Sequence, residues 1–135
     1  MRRTEENNGT QKTTEDYLEA ILEIYQDQGY VRSIDVAEHL EVSKPSVTYT
    51  TKRLKEKNYI TTDHAGMLVL TEEGKAIAER TLDRHHTLTK LLESVGVDHN
   101  QAQIDACKVE HDLSEESFQA IKKLVKGSQA KTAQA

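Results

Sequence analysis

Residues 33–54 read SIDVAEHLEVSKPSVTYTTKRL, and the fold turns on how this stretch is parsed. Ser33 suits the N-cap of a short helix whose Ile34, Val36, Ala37 and Leu40 recur at helical spacing. Glu41, Val42 and Ser43 interrupt that period. A second helix follows with Pro45 in its first turn, where a missing N–H is harmless, and with Val47, Thr51 and Leu54 facing inward. Two short helices cemented by Val36, Ala37, Leu40, Val47 and Leu54, with Val42 filling a tight turn, have the spacing of a helix-turn-helix.

Downstream, Tyr59, Ile60 and Thr61 alternate, Asp63 to Gly66 supplies turn residues, and Met67, Leu68, Val69 and Leu70 resume an extended run. That is a β-hairpin behind a recognition helix, the layout of a winged helix. The second helix is then the one that enters a major groove. Lys44, Ser46, Thr48 and Tyr49 fall near base edges, Lys52 and Arg53 near phosphates, and His64 in the wing, with Pro45 counted in the same DNA-binding set. The net charge of −5 does not suggest a nucleic-acid binder. The distribution does: Lys44, Lys52, Arg53, Lys55 and Lys57 are countered locally by Glu56 alone, and local charge is what a phosphate backbone meets.

Upstream, residues 1–12 are polar and read as a mobile arm, with Arg2 and Arg3 as possible phosphate contacts. Thr13 or Thr14 caps a first helix that carries Tyr17, Leu18, Ile21, Leu22, Ile24 and Tyr25 and ends near Gln28 and Gly29. Asp16 and Glu19 share one face of it. On their own they read as a dipole-complementing and a solvated carboxylate. Thr71 caps a long helix running to Gly96, on which Ala78, Leu82, His85, Leu88, Leu92 and Val95 form an apolar stripe. His85 lies on that stripe and His86 points away. A further helix starts at Asp98 or Asn100, and a last one at Ser114 with Phe118, Ile121, Leu124 and Val125 apolar. The expected organisation is a winged helix-turn-helix domain over 1–70, a helical domain over 71–126, and a disordered tail over 127–135. With one Pro, six Gly and few aromatics, the fold is mostly α with one small β-hairpin.

The stretch Asp105 to Asp112 holds the only cysteine, Cys107, with Glu110 and His111 three and four positions on. In a helix these residues share one face, so thiolate, carboxylate and imidazole can converge on one ion. Asp16, Glu19 and His85 are the candidates for the rest of such a site. Asp16, Glu19, Glu110 and a Cys107 thiolate carry four negative charges, which two divalent cations would neutralise.

Several points of the chain are those of a known family. They are Glu15-Asp16-Tyr17-Leu18-Glu19, Leu68-Val69-Leu70-Thr71, Arg84-His85, Val95-Gly96-Val97-Asp98, and Cys107 followed by Glu110-His111 and Leu113-Ser114. Over about Thr14 to Lys126 the chain resembles the diphtheria toxin repressor family, and within it the manganese transport regulators. The resemblance implies a homodimeric, metal-dependent repressor of metal-uptake genes that binds a palindromic operator in double-stranded DNA. It also implies Mn²⁺ or Fe²⁺, two ions per subunit, held by Asp16, Glu19, His85, Cys107, Glu110 and His111. Manganese-selective members have carboxylates at both the Asp16 and Cys107 positions, and iron-selective members have sulfur at both. This chain has one of each, and the balance leans slightly to manganese.

Other classes are disfavoured. No apolar run approaches the ~20 residues of a membrane span, and no secretory signal is present, so a cytoplasmic protein is expected. A lone Cys cannot form an internal disulfide and has no resolving partner for redox sensing. A dinuclear enzyme in a helical bundle would bring paired Glu-x-x-His motifs, which the sequence lacks, so no catalytic residue is assigned. The remaining rival is a winged-helix regulator that needs no metal.

Overall fold

The computed structural model describes the backbone of residues 2–134 and the side chains of residues 11–127. The chain divides into two compact units, Met1–Arg80 and Thr81–Ala135. The division falls within one continuous helix rather than at a loop.

The first unit contains α1 (Arg2–Gln28), α2 (Ser33–Leu40), α3 (Lys44–Glu56), β1 (Ile60–Thr62), β2 (Leu68–Leu70) and the start of α4 (Glu72–Ser94). Its core is aliphatic: Leu18, Ile21, Val31, Val36, Val47, Leu54 and Ile60 are each at most 2% exposed. Each such side chain contributes roughly 1.5–3 kcal/mol by leaving water. α1 packs on α2 and on β2, and α3 packs on α2 and β1. The inward set on α3 is Val47, Thr51 and Leu54, as its spacing requires.

Local chemistry fixes the ends. Gly29, at φ 83°, ends α1 and donates to the Tyr25 carbonyl at 2.8 Å. The Ser43 hydroxyl oxygen accepts from the Ser46 N–H at 3.3 Å and so caps α3. At α2 the cap is Arg32, one residue before the expected Ser33. Asp35 Oδ2 accepts from the Arg32 backbone N–H and Nε at 3.0 Å each, and Arg32 Nη2 reaches Oδ1 at 2.8 Å. That hydrogen-bonded guanidinium holds the Asp35 carboxyl well below the usual range, at about 2.

The wing is an antiparallel hairpin pairing Ile60 with Leu70, Thr61 with Val69 and Thr62 with Leu68. Its turn is tied by Asp63, whose Oδ1 accepts from the N–H groups of Ala65 and Met67 at 2.8 and 3.0 Å. α4 starts directly behind it. The Thr71 hydroxyl donates to the Asn58 carbonyl at 2.7 Å and accepts from Gly74 N–H at 3.1 Å. This brings Gly74 so near the chain that an added Cβ would stand 2.0 Å from the Tyr59 carbonyl oxygen. Because the obstacle is backbone, Gly74→Ala should destabilise the protein by about 1–3 kcal/mol, the usual range for overpacking. Thermal unfolding followed by circular dichroism measures it, and an unchanged midpoint would show that the junction yields.

The second unit contains the rest of α4, α5 (His99–Val109) and α6 (Glu115–Gln134). Gly96 at φ 100° ends α4, with Val97 N–H donating to the Leu92 carbonyl at 2.9 Å. Asp98 caps α5 through Asn100 N–H at 3.2 Å, and Ser114 caps α6 through Ser117 N–H at 3.1 Å. Leu88, Ala102, Ala106 and Phe118 are buried.

Further expectations change. α1 begins at Arg2, not at Thr13 or Thr14, since no proline interrupts the chain before them. The side chains of Arg2 and Arg3, expected in a mobile arm, lie outside the described residues. α6 continues through Gly127 to Gln134 where a tail was expected, a single glycine being too weak a breaker. Val42 and Val95, read as inward, are 37% and 71% exposed, because each sits in or beside a turn where the helical period no longer applies.

Candidate metal centre and nucleic-acid interface

The second unit gathers three of the expected ligands. His85 on α4 is mostly buried, and its Nδ1 lies 3.0 Å from Glu110 Oε2. Glu110 is 1% exposed. Its other oxygen, Oε1, lies 3.3 Å from His111 Nε2 and accepts no hydrogen bond among the described residues. A deeply buried carboxylate set between two imidazoles is costly as a structural ornament and suits a divalent cation.

The local chain path differs from the expected single helical face. α5 stops at Val109, Glu110 is its C-cap, and His111 belongs to the turn that leads to Ser114. Asp112 N–H closes that turn on the Val109 carbonyl at 3.0 Å. Ser114 must leave helical geometry to cap α6, so α5 has to end before it. Cys107 sits in the last turn of α5 and is exposed.

In the first unit, Asp16 and Glu19 lie one turn apart on α1. Asp16 is half-buried, while Glu19 is 9% exposed and flanked in sequence by the buried Leu18 and Ala20. The solvated role that Glu19 would have on an ordinary surface helix is thereby excluded.

The other face of functional interest is α3 and the wing. Lys44, Pro45, Ser46, Thr48, Tyr49, Lys52 and Arg53 are all exposed, as is His64 in the hairpin turn. Tyr49 is 62% exposed, and its hydroxyl accepts from Arg53 Nη1 at 2.8 Å, with the guanidinium carbon 5.6 Å from the ring centroid. An outward aromatic held by a cation presents both stacking surface and positive charge. One residue escaped the sequence reading as an actor. Arg84 drew notice only as the neighbour of His85, yet it holds the turn that carries Glu110. The available signal was a cation beside a stripe of buried positions.

Comparison with known proteins decides the family. The description "Iron dependent repressor, N-terminal DNA binding domain" matches residues 10–68, and "Iron dependent repressor, metal binding and dimerisation domain" matches residues 71–131. The HTH-type transcriptional regulator MntR of Bacillus subtilis (strain 168) is 37% identical over 116 residues, 86% of this chain and 82% of MntR. The chain belongs to the iron-dependent repressor family. Members are transcriptional regulators, not enzymes. Among solved structures, IdeR of T. acidophilum superposes with a TM-score of 0.73 at 29% identity, covering 81% of this chain and 52% of that one. A manganese-dependent transcriptional repressor in complex with manganese gives 0.76 at 25% identity, covering 83% and 52%. The chain thus spans about half the length of these solved repressors. The repressor fold accounts for the mostly helical architecture with its two-stranded wing. Among the described residues no helix is long and apolar enough to cross a membrane.

Proposed function

We propose that the chain is a cytoplasmic, homodimeric repressor of metal-uptake genes that binds a palindromic operator when loaded with Mn²⁺ or Fe²⁺. The DNA-reading part is residues 1–70 and the metal-binding and dimerisation part is residues 71–126. Asp16, Glu19, His85, Cys107, Glu110 and His111 are the proposed ligands of two divalent ions per subunit. The observation that carries the reading is Glu110, buried and bracketed by His85 and His111. Cations bound there would supply positive charge to a set of carboxylates and a thiolate otherwise costly to keep together.

The remaining work falls to the protein's own residues. Val95, Ile104, Val109 and Leu124 of the second unit are exposed apolar side chains, the chemistry a two-fold partner would cover. A dimer presents two copies of α3, whose spacing must match successive major grooves. Lys44, Ser46, Thr48 and Tyr49 are the proposed base readers, with Pro45 setting the first turn; Lys52, Arg53 and His64 are the proposed phosphate contacts.

A duplex selected from a random pool in the presence of Mn²⁺, followed by fluorescence anisotropy, tests this function. Chelating the metal should weaken binding by roughly 5–150-fold, the span of 1–3 kcal/mol of coupling. Lys52→Ala should weaken binding across all sequences and lower the salt slope by about one. Equal affinity with and without metal would favour the metal-independent regulator.

A further inference from the structure

The geometry points to Arg84 as the positioning residue of the metal centre, acting through the turn that carries Glu110 and His111. The inference rests on the metal reading above. Arg84 lies on α4, next in sequence to His85, and its side chain is 13% exposed. Its Nη1 donates to the carbonyl of Glu110 at 3.0 Å and to that of Leu113 at 2.7 Å, so one nitrogen spans both ends of the turn. Nη2 donates to Glu115 Oε2 at 2.8 Å, in the first turn of α6. The guanidinium carbon lies 5.0 Å from the centroid of the buried Phe118 ring.

These contacts answer a specific need. α5 ends before Glu110, and the turn that follows has no helical ladder to hold its shape beyond the bond from Asp112 N–H to the Val109 carbonyl. Arg84 supplies donors to the Glu110 and Leu113 carbonyls of that turn, and its guanidinium is anchored against an aromatic face. Glu110 is thereby fixed at its backbone by Arg84 and at its carboxylate by His85, two adjacent residues of one helix. The planar fork matters, because an ammonium offers no flat face to Phe118 and cannot reproduce the same set of directions. Arg84 touches no ion in this scheme. Its effect is to keep Glu110 and His111 in the arrangement the ion requires before the ion arrives.

The test compares wild type, Arg84→Lys, Glu115→Gln and Glu110→Gln by calorimetric titration with Mn²⁺ and by the visible spectrum of the Co²⁺ form, with far-ultraviolet circular dichroism as the control for folding. Arg84→Lys should retain its helical signal yet bind Mn²⁺ about 10–100-fold more weakly, as loss of an outer-shell partner does. Its Co²⁺ bands should shift, which a merely structural arginine would not cause. If Arg84→Lys does not fold, Glu115→Gln serves, since that exposed side chain leaves the core intact. It should weaken Mn²⁺ binding in the same sense by a smaller factor. Glu110→Gln reports on the metal reading itself. Weakened binding in Glu110→Gln together with wild-type affinity and spectrum in the Arg84 and Glu115 variants would overturn the Arg84 role alone. Wild-type affinity in Glu110→Gln would overturn the metal centre with it.

Discussion

Glu110→Ala is expected to lower Mn²⁺ affinity by about 100-fold or more, beyond the roughly 10–100-fold that loss of an outer-shell partner costs. The reason is position: one carboxylate oxygen meets His85 and the other meets His111, so removing it leaves two imidazoles without the anion between them. A second consequence separates a ligand from a structural acid. Glu110 is 1% exposed, and keeping a carboxylate there without a cation is a desolvation cost that two imidazoles repay only in part. Glu110→Gln keeps the volume and removes the charge. The metal-free variant should therefore melt no lower than metal-free wild type, while the stabilisation normally gained on adding Mn²⁺ disappears. A structural carboxylate gives the opposite pattern, a lower melting temperature without metal and an undiminished response to it.

Cys107→Glu is expected to shift the ratio of Co²⁺ to Mn²⁺ affinity toward Mn²⁺ by about tenfold or more, because thiolate favours the later, softer ions and carboxylate the harder one. Titration must be anaerobic, since Cys107 is exposed and open to oxidation. The same substitution also removes the need to deprotonate a thiol on loading, so the pH dependence of metal binding should weaken. An unchanged metal ranking would remove Cys107 from the ligand set and leave the other five.

The reading unit was legible because its signals are local and periodic. Val47, Thr51 and Leu54 fall at helical spacing, Pro45 marks a first helical turn, and Asp63 with Gly66 marks the hairpin turn. The residues of the proposed metal centre could be picked out by composition, but the conformation of their stretch could not. Cys107, Glu110 and His111 obey helical spacing on paper, yet the demand of Ser114 for a cap ends α5 at Val109 and moves two of them into a turn. Propensity within eight residues cannot register a constraint imposed by the next helix. Arg32 replaced Ser33 as cap because its bidentate pairing with Asp35 outweighs a hydroxyl, a long-side-chain contact that cap preferences do not record. Arg84 was hidden for a related reason: its partners are carbonyls of residues 26 and 29 positions away. Backbone acceptors leave no trace in side-chain identity.

Metal loading and the DNA-gripping pose are expected to form one equilibrium. Linkage requires the effect to be reciprocal, so the direct measurement is the dissociation constant of Mn²⁺ for the dimer, taken free and then saturated with the selected duplex at constant salt. Duplex should tighten Mn²⁺ binding by the same factor by which Mn²⁺ tightens duplex binding. Identical Mn²⁺ affinity in the two titrations would contradict it.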